Sequence, residues 1–242
     1  MGKNDRLVSV IIPVYNGERY LGEAIESALA QDYRPIEVIV VNDGSADNTE
    51  AIAKRYEKDI IYVRQENRGP AAARNRGLHM SHGEFVGFLD ADDLWSTNKL
   101  TLHLEPMAAD PSLEIVLGLS QVMRLQDGND KVIFKKWHDP ILILLFGAAL
   151  IRRSVFEKFG FFDETLRHSE DTDWFMRVRE MGVSMTIIQE VTLFYRQHES
   201  NMTLDSVARN RFFIKAFKNS LDRRRQKGDG SVAPFPKLIN LE

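Results

Sequence analysis

Apolar residues in the first half of the chain alternate between short strand-like runs and helical stripes. Val8–Val14 (VSVIIPV), Ile36–Val41 (IEVIVV), Ile60–Val63 and Phe85–Leu89 are β-branched or aromatic runs of strand length. Pro13 near the end of the first run suits a strand terminus, because proline cannot donate to a ladder. Between these runs the period changes. Leu21, Ile25, Ala28 and Leu29 share one helical face. Asp47 with Glu50 three residues on predicts a capping box, opening a helix with Ile52 and Tyr56 on one side. Gly69-Pro70 predicts a helix start with proline in its first turn, running through Ala71–Arg76. Leu100, Leu104, Met107 and Ala108 predict the next helix. Strand and helix alternating with short connections is the pattern of a parallel sheet covered by helices, an α/β fold.

The second half is less regular. Ile115–Met123 and Lys131–Lys135 read as strands around an Asp127-Gly128-Asn129 turn. The longest apolar run, Ile141–Ile151 (ILILLFGAALI), reads as one buried element, being shorter than the ~18 residues of a membrane span. Ser154–Phe159 predicts a short helix stopped by Gly160. Ser169 is placed to cap a helix through Met181, stopped by Gly182, and Ser184–Ile188 and Val191–Tyr195 predict two more strands. Beyond them lies a basic amphipathic stretch, 209–227, with Phe213, Ile214, Phe217 and Leu221 at helical spacing. It reads as a docking helix with a solvated face, the alternative being peripheral contact with an anionic membrane. Gly228–Pro236 predicts a loosely held tail.

Composition narrows the class. With 43% hydrophobic and 28% charged residues in 242, the chain is an ordinary globular mixture of ample size for a core. A net charge of −3 disfavours nucleic acid as a main partner. The lack of cysteine removes disulfides, thiolate metal sites and cysteine nucleophiles, and fits a reducing compartment. The first residues (MGKNDRLVS) lack the apolar core of a signal peptide, and Arg6 stands where myristoylation needs Ser or Thr. The expectation is a soluble cytoplasmic protein, with the inner face of the membrane as the alternative station. Asn201-Met202-Thr203 matches a glycosylation sequon, which carries little weight without a secretion signal.

Ligands of parallel α/β sheets bind at the carboxyl ends of the strands. There the chain places Pro13-Val14-Tyr15-Asn16-Gly17-Glu18, then Asn42-Asp43-Gly44-Ser45, then Asp90-Ala91-Asp92-Asp93. Carboxylates this close repel one another unless a cation is near. Oxygen ligands around a hard divalent ion that also holds substrate phosphates point to magnesium or manganese. Asp93 alternatively caps the following helix. Asp43 is either turn chemistry or an acceptor for the ring N–H of a base such as uracil. No dinucleotide or P-loop glycine motif occurs. In a helix from Ser169, Asp171, Trp174, Phe175 and Val178 fall on one face at i, i+3, i+4 and i+7, while Asp173 turns away. An acid on an inward face needs a cavity or a partner. Asp171 is therefore a candidate general base, the alternatives being a charge at the helix N-terminus or an ion pair with Arg152 or Arg167.

Taken together, Val8–Asn16 (VSVIIPVYN), Ile39–Thr49 (IVVNDGSADNT), Asn67–Gly77 (NRGPAAARNRG), Phe88–Asp93 (FLDADD) and Glu170–Arg177 (EDTDWFMR) resemble the family 2 glycosyltransferases over roughly residues 7–200. That resemblance implies a GT-A fold, a nucleotide-diphosphate sugar donor (UDP favoured), Mn2+ or Mg2+, and inversion at the anomeric carbon. It implies a nucleotide site of Pro13, Tyr15, Glu18, Asp43, Arg74, Asp90 and Ala91, with Asp92 and the late His198 serving the metal. Asp171 would be the catalytic base beside Glu170. A transferase domain would cover 1–205, with a nucleotide-sugar half (7–110) and a smaller mixed acceptor and catalytic half (111–205), followed by the basic helix and tail, 206–242. The acceptor, a saccharide or a lipid-linked one as in polysaccharide biosynthesis, would meet 125–166, where Trp137 and His138 could stack on or bind a sugar, simple packing being the alternative, with Glu170 also on the acceptor side. The QxxRW motif of processive members is missing, as Val178 follows Arg177, so a single addition is expected. Phe161-Phe162-Asp163-Glu164 departs from the family's Gly-Phe-Asp-Glu turn at its first residue. Two other readings stay open: a sugar-phosphate nucleotidyltransferase, which would release pyrophosphate, and a nucleotide-sugar-binding protein without turnover.

Overall fold

The computed structural model describes residues 6–126, 133–199, 201, 206–228 and 237–239. The expected Asp127-Gly128-Asn129 turn, most of the sequon and most of the Gly228–Pro236 tail lie outside these residues. Strand β1 (Val8–Val14) is buried along its whole length, with parallel neighbours β2 (Ile36–Asn42) on one side and β4 (Phe85–Phe88) on the other. β3 (Ile61–Arg64) extends the sheet beyond β2. The alternation of β1 explains its burial: Val8, Val10, Ile12 and Val14 face the core that includes α1 (Leu21–Leu29), while Ile11 faces α3 (Pro70–Met80). Each such side chain contributes about 1.5–3 kcal/mol on leaving water. Pro70 sits in the first turn of α3, behind Gly69 at φ +92°, a backbone state that glycine tolerates.

Beyond β4 the sheet turns antiparallel. β8 (Ala149–Arg152) pairs with β4 and with β6 (Ile115–Gln126), and β6 runs parallel to β9 (Met185–Gln197). β10 (Lys237–Ile239) lies outside β9. The order is β10-β9-β6-β8-β4-β1-β2-β3, with the two-residue β5 (Leu94–Trp95) pairing with β9 and β7 (Ile133–Lys136) with β6. The helices α2 (Thr49–Ala53), α4 (Lys99–Ala109), α5 (Arg153–Phe159), α6 (Glu170–Glu180) and α7 (Ser206–Lys227) complete the layers. This is the expected α/β architecture, a mostly parallel sheet flanked by helices.

Several local expectations are corrected. The capping box does not form: α2 begins at Thr49, and Asp47 instead accepts from the backbone N–H groups of Glu18 and Thr49, tying two loops together. Ser169 precedes α6 as expected, but at φ +61° and without a side-chain cap bond. The two late strands are one, β9, because a register irregularity against β6 absorbs the polar Gln189-Glu190 step. The run Ile141–Ile151 divides: 146–151 is buried as a 3₁₀ turn and β8, whereas Ile141, Leu142 and Leu144 are exposed. Asp173 does turn from the Trp174 face, yet it is buried under α7, paired with Arg223 at 3.0 Å. The docking face of α7 is likewise not its apolar one; Ala216, Ser220 and Arg223 face α6.

Candidate active site

The loops leaving β1 and β2 lock onto each other. Asn16 N–H donates to Ser45 Oγ at 2.9 Å, and Gly17 N–H to Thr49 Oγ1 at 2.8 Å. Glu18 accepts from the backbone N–H and side-chain amide of Asn48 at 2.9 and 2.7 Å. Pro13 is buried in the last pairs of β1, and Tyr15 is exposed just beyond it. Asp43 is 3% exposed and accepts from Gln65 Nε2, Arg68 N–H and Gly69 N–H at 2.8–3.0 Å. Gly44, at φ +79°, is held so close that a Cβ would stand 2.8 Å from Asn67 N, so the turn requires glycine. A Cβ on Gly17 would lie 3.7 Å from that of Ala91, which places the first loop against the acidic one.

The acidic loop after β4 is held by the end of β9. Arg196 N–H donates to Asp93 Oδ1 at 2.8 Å, and its guanidinium donates to the Asp92 carbonyl and pairs with Glu23. Asp93, 1% exposed, is therefore a bracket on β9 and not a helix cap; burial first, then Asp92 and Asp90, push its carboxyl well above the ordinary range. His198 Nε2 stands 3.2 Å from Asp92 Oδ2, and Asn201 Nδ2 stands 3.2 Å from the same oxygen. Tyr20 stacks at 4.5 Å on the His198 ring and also lies under the Arg196 guanidinium.

Arg74 joins this loop to α6. It is 6% exposed and pairs with Asp90 at 2.6 Å and with buried Glu170. Burial alone would lower its pKa, but Asp90, then Glu170 and Asp171, more than offset that and raise it. Asp90 is pushed up by burial and eased by Arg74. Asp171, half-buried beside Glu170, is raised to about 6 by burial and then by the Glu170 charge, against a 2.6 Å bond from Thr172 N–H. Arg152 does not neutralise it; that side chain reaches Glu84, Leu113 and Met107. Asp90, Asp92, Asp93, Glu170 and Asp171 thus gather around two guanidiniums, an excess of negative charge that a cation would relieve.

Among the described residues no cluster of three or more His, Cys, Asp or Glu is ready to hold an ion by itself. The Asp92–His198 pair still fits a hard divalent ion that takes its other ligands from water and a diphosphate. Away from these carboxylates, Trp137 and His138 line a cavity of about 610 Å³ with Gln121, Lys136, Asp139, Pro140, Val191 and Phe194. Arg124 stacks over Trp137 at 3.6 Å.

The structure thus brings Arg74, Asp90, Glu170 and Asp171 into one cluster and Asp92 with His198 into another on the same loop. Trp137 and His138 belong to a separate hollow. Sequence reasoning missed Arg196, Asn201 and Gln65. For Arg196 a signal existed: it stands two residues before His198 at the end of a strand run, a spacing that puts both on one side.

A sequence profile described as "Glycosyl transferase family 2" matches residues 9–160. An uncharacterised glycosyltransferase of Rickettsia typhi is 37% identical over 211 residues, covering 81% of this chain and 66% of that protein. The uncharacterised glycosyltransferase EpsJ of Bacillus subtilis is 29% identical over 219 residues, covering 81% and 63%. The chain thus spans just under two thirds of these relatives. Among solved structures, a mannosyltransferase of Pyrobaculum calidifontis in complex with GDP-Man and Mn2+ superposes with a TM-score of 0.70 at 22% identity, covering 89% of this chain and 64% of that one. S. aureus TarS in complex with UDP-GlcNAc superposes at 0.66 with 23% identity, covering 82% and 60%. Both share the fold.

Proposed function

The chain belongs to glycosyl transferase family 2, and on that footing we propose that it moves a sugar from a nucleotide-diphosphate donor to an acceptor hydroxyl, with inversion, one addition at a time. The observation that carries the reading is the Asp90–Arg74–Glu170 bridge. It sets the acidic loop at the end of β4 beside a half-buried carboxylate, Asp171, at the start of α6. A base for the acceptor hydroxyl and a place for a diphosphate are the two needs of a single displacement, which requires no covalent nucleophile.

Asp171 takes the proton of the acceptor hydroxyl as that oxygen attacks the anomeric carbon. Asp92 and His198 would hold Mn2+ or Mg2+, which when bound supplies Lewis-acid charge relief to the leaving diphosphate. The need for an ion follows from the charge: without one, the carboxylate-rich loop repels a diphosphate. Pro13, Tyr15, Glu18 and Asp43 would frame the base and ribose, with Asp90 and Ala91 completing that wall. Three protein donors leave Asp43 one of its roughly four acceptor positions, enough for a uracil N–H. Thymine and guanine carry such a ring N–H too, whereas cytosine and adenine do not, so the screen takes UDP, dTDP and GDP, in line with the UDP-GlcNAc and GDP-Man of the two solved structures. The acceptor, a saccharide or a lipid-linked hydroxyl, would use the Trp137–His138 hollow.

Calorimetric titration with UDP, GDP and dTDP, in manganese and then in excess chelator, tests this. Manganese-dependent binding of one nucleotide, lost in Asp92→Ala, is expected. Equal binding in chelator and in Asp92→Ala would overturn the metal assignment; no binding of any nucleotide would overturn the donor site.

A further inference from the structure

The sequence favours docking α7 through its apolar stripe, and the structure leaves three of the four stripe residues exposed, Leu221 being half-buried. The helix seats on the body through the other side: Ala216 is buried, Ser220 and Arg223 bond Glu180, Arg223 pairs with Asp173, and Lys215 Nζ reaches Thr165 Oγ1 at 2.9 Å. Phe213, Ile214 and Phe217 are 48%, 68% and 47% exposed. At helical spacing they share an arc of about 100°. Exposed Arg211, Lys218 and Arg225 flank that arc on one side. Asp222 lies 3.7 Å from Arg225, so the flank keeps a net positive charge.

We propose that this face of α7 seats on an anionic lipid surface. Large apolar side chains beside a row of Lys and Arg are what an interfacial helix presents: the rings enter the acyl boundary while the cations stay among the headgroups. Each basic residue at such a surface strengthens partition by about fivefold, a term that salt weakens. A second copy is a poorer occupant. An antiparallel two-fold contact through this face would set Lys218 near its own counterpart and Arg211 near Arg225 of the other copy, like charge against like. α7 is held by Asp173 and Glu180, which lie on the side of α6 opposite Asp171, so both helices separate the seated face from that carboxylate, and the lipid contact does not rest on the proposed function.

Flotation of the full chain with phosphatidylcholine vesicles, with and without a large share of phosphatidylglycerol, reads this directly and needs no nucleotide. The expected result is partition at least tenfold stronger onto the anionic vesicles, falling in about 0.5 M salt. Phe213→Ser/Ile214→Ser/Phe217→Ser should lose at least tenfold more while keeping the parent's melting temperature. Arg211→Glu/Lys218→Glu/Arg225→Glu should lose the preference for anionic lipid. No anionic preference in the parent would overturn the proposal, as would binding untouched by the triple serine variant. Self-association abolished by that variant, without vesicle binding, would assign the face to a second copy instead.

Discussion

The base proposed for the acceptor hydroxyl, Asp171, sits in surroundings that disfavour its charge, and that tension fixes what should be measured. Burial and the Glu170 charge hold its carboxyl near 6, so it is ionised at neutral pH yet more basic than an exposed aspartate. The proposed base acts deprotonated, so on that reading kcat/KM should fall about tenfold per pH unit below about 6 and level off above. Asp171→Asn should lower kcat by ~10²–10⁴ while the nucleotide Kd stays within about twofold; a parallel loss of nucleotide binding would move Asp171 into the donor site. Its inward position was legible from the spacing of Trp174, Phe175 and Val178, because a helix face repeats. Lys99 was not legible, since a lysine in a first helical turn reads as solvated. It is fully buried, with Nζ 3.4 Å from His103 Nε2 and over the Trp95 ring, neither of which carries negative charge. Burial lowers its pKa well below the usual value. Between the folded pKa and the unfolded value near 10.4 the unfolded chain holds the extra proton, so stability rises with pH across that window. Lys99→Met should raise stability at pH 7 by about 1–3 kcal/mol and flatten that rise, as read by urea unfolding at two pH values.

Among the elements, α3, the acidic loop and α6 are joined by one buried guanidinium. Removing it leaves Glu170 buried and uncompensated, so Arg74→Met should cost about 3–5 kcal/mol in chemical denaturation. Adding Glu170→Leu should recover most of that loss; strict additivity of the two changes would show that the pair is not coupled. No sequence pattern announced the pair, because Arg74 and Glu170 lie on different helices and meet only after the sheet forms. The helices α1, α4 and α6 were legible from a face whose period the sequence repeats, α3 from its Gly69-Pro70 start, and the strands around β1 from β-branched and aromatic runs. β5 was invisible at two residues, and β9 read as two strands because a polar step sits on its irregularity against β6. The exposed side of α7 was misjudged for a related reason: an apolar stripe says that a helix has a partner, not which one.

At the scale of the whole molecule, the halves on either side of residue 110 share one continuous sheet, although the sequence suggests a seam there. β4 is edged by β8 at Phe85–Arg152 and Val86–Ile151, so cutting at the seam leaves a hydrophobic strand with an open ladder. Trp95 donates its indole N–H to Gly147 O at 2.9 Å and its strand pairs with β9, so the same cut also exposes a buried ring. The acidic loop fares no better, because Asp92 and Asp93 take their positions from Arg196, His198 and Asn201. A fragment ending at residue 110 should therefore show no cooperative unfolding transition and no manganese-dependent nucleotide binding, even though it contains β1 to β4 and every residue expected to touch the base. Mixing it with the 111–242 fragment should restore both. A sharp urea transition in the first fragment alone would show that β1 to β4 carry a core of their own. Nucleotide binding by that fragment would further show that β9 does not position the acidic loop.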